Sequence, residues 1–237
     1  AAGTTTHKHC NYGEQSCSHS QITWSAWSKT TSLPTSGTYY LTKDVTLSSQ
    51  WHISGTVKLC LNGHTVTVKA GTDQAVYIQE SGSLYLTDCK GTGLITPASG
   101  VSVTGVVDTG SFYMYGGTIK NFCKNANGSE DDCAAVDVDT DGKFYMMGGT
   151  IDNSGISSSG VGVYCYGAVM QLSGNAVIQN CGMTGIRVMG TTTLTMNGGA
   201  VRNCGTKYGV GIEVGNNGTA DISGGAVSGA YYGLNSE

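Results

Sequence analysis

Proline is nearly missing from this sequence, at two residues in 237, and charge is thin, at 12% of residues. The first scarcity excludes collagen-like and proline-rich chains, and the second excludes a charge-extended disordered tail. Lysines and arginines do not cluster, and the net charge is −4 with a pI near 5.7. Phosphate binding needs a basic footprint, so no nucleic-acid partner is expected. No apolar run approaches the roughly 18 residues of a membrane span. The opening residues, AAGTTTHKHC, lack the charged and apolar regions of a signal peptide, which is the expectation for a mature or excised segment. No histidine follows His64, which removes a common general base from most of the chain. A Ser/His/Asp or Cys/His nucleophile arrangement and a phosphate loop are also missing, because the paired glycines end strands and open no helix.

Glycine, at 37 residues, is abundant, and it falls in a pattern. The stretch 112–121, FYMYGGTIKN, returns at 144–153 as FYMMGGTIDN with eight of ten positions kept. Weaker copies are LTMNGGAVRN at 194–203, ADISGGAVSG at 220–229 and MQLSGNAVIQN at 170–180. Each copy alternates apolar and outward residues, bends at a glycine pair, and continues into a short apolar pair, the signature of strand, corner, strand. With Leu59, Leu84, Phe112, Phe144, Met170, Leu194 and Ala220 as markers, the steps run from 24 to 32 residues. Two further rows of alternating apolar residues accompany the markers, one containing Val136, Val163 and Ile186 and one containing Ile119, Ile151 and Ile178. Three short strands per ~25-residue period, without a helical period, predict that each strand pairs with its counterpart one turn later. The expected fold is all-β, a right-handed parallel β-helix of about seven coils, on the order of 34 Å long. Residues 33–237 form the helix and residues 1–32 a small N-terminal cap that covers the open first coil.

The repeats, the leader SLP…YYLTKDV and the segment LCLNGHTVTV resemble the right-handed parallel β-helix regions of large secreted or wall-attached proteins of Gram-positive bacteria. The resemblance covers nearly the whole chain and implies a secreted or cell-surface module with further domains in a larger parent chain. The same fold serves pectate lyases and many glycoside hydrolases, but no catalytic motif of such a family is present, and fold alone assigns no function.

Several groups of residues offer chemistry. In the cap, His7, His9, Cys10, Cys17 and His19 have the spacing H-x-H-C-x6-C-x-H, which suits a structural zinc held by Cys10, Cys17, His19 and one of the first two histidines. The alternative is a Cys10–Cys17 disulfide with solvated histidines. Asp137, Asp139 and Asp141 open a D-x-D-x-D-G pattern suited to calcium, but the twelfth position, where a glutamate belongs, is Gly148. By register Asp137 and Asp139 begin an outward column that continues through Tyr164, Arg187 and Glu213, a surface on which a glycan could lie. Asp137, Asp139 and Arg187 are also the candidates for a carbohydrate-active enzyme, hydrolase or lyase, with the two carboxylates about 7 Å apart. Tyr85, Tyr113 and Tyr145 form a second outward column, readable as a structural ladder or as a contact for glycan or protein. Asn121, Asn153, Asn180 and Asn203 are expected to turn inward as a ladder. Among nine cysteines, Cys123 and Cys133 are expected to be bridged across an insertion, Cys181 and Cys204 to bridge or stack, Cys60 and Cys89 to lie on adjoining coils, and Cys165 to be the odd thiol. The expected function is an adhesin-like module that binds a glycan or a host surface protein without catalysis.

Overall fold

A computed structural model describes residues 7–14, 21–69, 74–123, 133–154, 160–205 and 209–236. It is a parallel β-solenoid, all strand among the described residues. One row of stacked strands runs Thr56–Cys60, Ser83–Thr87, Ser111–Met114, Lys143–Met146, Val169–Leu172, Thr193–Arg202 and Thr219–Ser228. Each coil then turns a corner into a second row, which includes Thr65–Val68, Leu94–Pro97, Thr118–Lys120, Thr150–Asp152 and Val177–Gln179. A third row of eight strands, from Trp51–Ile53 to Tyr232–Ser236, closes the coil. In the last two repeats the chain stays strand through the corner, so the first two rows join into one continuous sheet.

The core is a set of inward columns in which like residues stack. Phe112 pairs in register with Phe144, their rings 4.8 Å apart and 12° from parallel, and Met170 and Leu194 follow. Met114, Met146, Leu172 and Met196 form the adjacent column, and Ile119, Ile151, Ile178 and Val201 line the second row. All twelve are fully buried. The expected marker register fails only at the first coil, where Leu84 pairs with Val57, two residues before Leu59. There the glycine pair is replaced by a turn at Asn62 and Gly63, both at positive φ. That turn lies further along the strand.

The glycine pairs answer a steric demand. The second glycine of each pair adopts positive φ, as at Gly117 and Gly149, which only glycine does without strain. The first is excluded from carrying a side chain by the neighbouring coil, since a Cβ on Gly148 would lie 2.4 Å from the carbonyl oxygen of Tyr115. The recurring asparagines behave differently from the expected inward ladder. Asn121, Asn180 and Asn203 hold the left-handed conformation at the second corner, which asparagine tolerates better than other side chains. Only Asn153 is fully buried, and it accepts a bond from the Phe122 amide at 3.2 Å and donates to the Val161 carbonyl at 3.1 Å.

The N-terminal segment is stitched to the stack. Lys8–His9 pairs antiparallel with Ile22–Thr23, and Ser25–Trp27 adds a parallel strand beside Gly37–Leu41, which itself pairs with Thr56–Cys60. Trp24 is buried beneath it. Cys123 and Cys133 form a disulfide, whereas Cys60, Cys89, Cys165, Cys181 and Cys204 are thiols.

Because a stacked aromatic in a fully buried column has no room to relax, Phe144→Ala is expected to destabilise the fold by about 3–5 kcal/mol. Chemical denaturation should show this as a lower midpoint, and an unchanged midpoint would contradict the stacked-column description.

Candidate functional site

The outward column of the third row is present as expected. Asp137 pairs in register with Tyr164, Tyr164 with Arg187, and Arg187 with Glu213. Its charges are already engaged: Arg187 Nε lies 3.3 Å from Glu213 Oε2, with both side chains only about an eighth exposed, and Glu213 Oε2 also accepts from the Thr184 hydroxyl at 3.3 Å. Asp139 lies beyond the strand Ala134–Val138, in the turn, where it accepts the Thr140 amide at 2.7 Å. Asp141 follows at positive φ, its amide bonded to the Gly167 carbonyl. The three carboxylates of the D-x-D-x-D pattern do not converge, because among the described residues the only grouping of three or more metal-ligating side chains lies elsewhere.

The second expected column is a ladder. Tyr85 and Tyr113 stack with centroids 4.4 Å apart and planes 2° from parallel, and Tyr113 and Tyr145 follow at 5.0 Å and 11°. Tyr12 of the cap lies against Tyr85, and the Lys58 ammonium sits 4.2 Å above the Tyr12 ring. Burial, followed by the neighbouring Tyr113, pushes the Tyr85 phenol up to about 12. Stacked rings spend their faces on each other, so this column offers edges and hydroxyls, and no open face for a sugar ring.

Beside the ladder lies a feature that sequence inspection missed. A groove of about 550 Å³ follows the glycine corners, lined by Asp88, Cys89, Lys90, Gly91, Tyr115, Gly116, Gly117, Thr118, Met147, Gly148, Gly149, Thr150 and Asn175. Its floor is backbone, for the steric reason given above. Asp88 is buried at one end, with its carboxylate held by the amides of Gly63 at 2.7 Å and Gly93 at 2.6 Å. The glycine pairs were legible as corners, but nothing in their spacing announced that successive corners form a trough. A smaller concavity lies at the opposite turns, between Thr140, Tyr166, Asn216 and Asn217.

The cap residues whose spacing suggested a zinc site are described only in part. Cys10 is disulfide-bonded, so it has no thiolate to offer a metal, and Cys17 and His19 lie outside the described residues. His7 and His9 turn instead toward Cys60 and Cys89, and the four ligand atoms all lie within 4.8 Å of one another. Burial lowers both imidazoles, His9 to about 4, with the neighbouring His7 contributing; Lys90 adds to the effect at His7.

The chain matches no protein-family model, no curated protein and no solved structure at a significant level. Function is therefore read from geometry.

A carboxyl raised into a range useful for proton transfer does exist, but it is out of reach. Asp108 is fully buried in an inward column between Ile78 and Val138, and burial lifts it to about 7 against the pull of the Gly110, Phe112 and Lys143 amides. The folded chain thus keeps this proton up to about pH 7, whereas the unfolded chain loses it near 4. Stability should fall as pH rises through that window. Asp108→Asn is expected to raise the melting temperature by a few degrees at pH 8, with the gain shrinking toward pH 4. Parallel wild-type and variant profiles would show that Asp108 does not titrate there.

Proposed function

We propose that this chain is a non-catalytic binding module whose corner groove takes a neutral glycan, within a larger secreted or wall-attached surface protein of a Gram-positive bacterium. The observation that carries the reading is the groove itself. It crosses four successive corners, about 14 Å at the spacing of stacked strands. Apart from Asp88, Cys89 and Lys90 at one end, its lining consists of glycine backbone, the Thr118 and Thr150 side chains, Tyr115, Met147 and Asn175. Such a surface has many hydrogen-bonding groups and little net charge, which suits an extended hydroxylated ligand better than an ionic or an apolar one. The Cys123–Cys133 disulfide supports an oxidising location outside the cell.

Catalysis by Asp137, Asp139 and Arg187 draws less support. Arg187 is committed to Glu213, and Asp139 sits in a turn off the strand that carries Asp137. A glycan array probed with the intact chain is expected to return neutral oligosaccharides. Tyr115→Ala and Asn175→Ala should each weaken the best of them about tenfold, the loss of roughly one hydrogen bond. Asp139→Asn should leave binding unchanged, and no polysaccharide should be cleaved. A silent array with the fold intact, or undiminished binding by both groove variants, would defeat the proposal; binding only to host proteins would replace the glycan with a protein partner.

A further inference from the structure

The junction between cap and coils holds a cluster of side chains that touches the groove only through Cys89. His9 lies in the first strand, Lys8–His9, His7 immediately precedes it, and the two rings meet with centroids 4.4 Å apart. Cys60 ends the strand Thr56–Cys60 and pairs in register with Thr87, which places Cys89 one coil on and two residues further. Four residues from three separate stretches of chain therefore meet at one point.

We propose that His7, His9, Cys60 and Cys89 form a closed tetrahedral site for a divalent metal of borderline softness, zinc above all, that fastens the N-terminal cap to the solenoid. The distances suit this. Tetrahedral zinc with sulfur at about 2.3 Å and nitrogen at about 2.0–2.1 Å sets its ligand atoms about 3.8 Å apart for two sulfurs, about 3.3 Å for two nitrogens and about 3.5 Å for a mixed pair. The Cys60 and Cys89 sulfurs are 3.6 Å apart, and Cys89 Sγ lies 3.7 Å from His7 Nε2. The two imidazole Nε2 atoms are closer, at 2.5 Å, and need only part by about 0.8 Å. The rings are already oriented by neighbours: His7 stacks on Tyr40 at 4.0 Å and 13°, and His9 meets the edge of Trp24 at 4.6 Å. Two thiolates balance the charge of a divalent ion, so the loaded centre is neutral, which suits a place where Cys60 is fully buried. Four protein ligands leave no open position, so the role is structural. The two sulfurs are unbonded thiols in this structure.

The full chain, purified without chelator or added metal, is expected to contain about one zinc per molecule by elemental analysis. Cobalt(II) loaded in its place should give the intense visible bands of a tetrahedral ion and a near-ultraviolet thiolate-to-metal band. Cys89→Ser and His9→Gln should each weaken metal binding at least tenfold, whereas Cys165→Ser, far from the junction, should not. Should Cys89→Ser fold poorly, His9→Gln at the half-buried imidazole carries the same test. Stripping the metal should lower the melting temperature and open the cap to limited proteolysis before the coils. Three results would each overturn the proposal: no uptake of zinc or cobalt by the thiol-reduced chain under anaerobic titration, a cobalt spectrum without a thiolate band, or full metal content in the Cys60→Ser, Cys89→Ser double variant.

Discussion

Each coil of this protein satisfies its backbone through the coils on either side of it. In a helix the amide and carbonyl groups of a segment find partners within the segment, whereas here nearly every strand bond crosses to a neighbour about 25 residues away. Stacking must therefore repeat in register, because a slip of one residue would turn every inward side chain outward. The identical columns, the glycine pairs and the left-handed asparagines all follow from that demand. Phe112 meets Phe144 and Tyr113 meets Tyr145 because the backbone beneath them leaves no other partner.

The same constraint explains what was legible in the residues and what was not. A periodic fold writes its period into the chain, so the strands, the two outward columns and the Cys123–Cys133 bridge could be anticipated from spacing. Properties that arise between coils left fainter marks. The histidines of the cap stand next to Cys10 in the chain, and proximity in sequence suggested they would share a ligand. Folding gives them cysteines that lie about fifty and eighty residues further along, while Cys10 enters a disulfide. Asn153 and Asn121 occupy equivalent places in two near-identical repeats, yet one is buried and the other takes the left-handed turn. The buried Asn153 ties two described segments together, bonding the Phe122 amide and the Val161 carbonyl.

Polar groups inside the stack meet backbone donors and differ in how deeply they are enclosed. Asp88 sits in a corner where the amides of Gly63, Lys90 and Gly93 reach its carboxylate, so a buried acid there acts as a clamp on the turn. Asp108 takes a place that aliphatic residues and Cys165 fill in neighbouring coils, and burial outweighs the amides that face it. The two aspartates, one coil apart, both meet backbone amides, and what separates them is enclosure: Asp88 lines the groove, whereas Asp108 is shut inside the core.

The corner glycines have a consequence for how such a molecule can change. Since the preceding coil's carbonyl occupies the space a Cβ would need, a corner cannot acquire a side chain without disturbing its neighbour. Duplication of a whole coil meets no such obstacle, and the near-identity of 112–121 and 144–153 is what a copied unit looks like. Adding one coil would lengthen the trough by about 4.8 Å while leaving its chemistry as it was. On the proposed binding role the corner would work as a ruler: copying coils would change the length of ligand that fits, and only the outward residues at its edges would be free to change the kind.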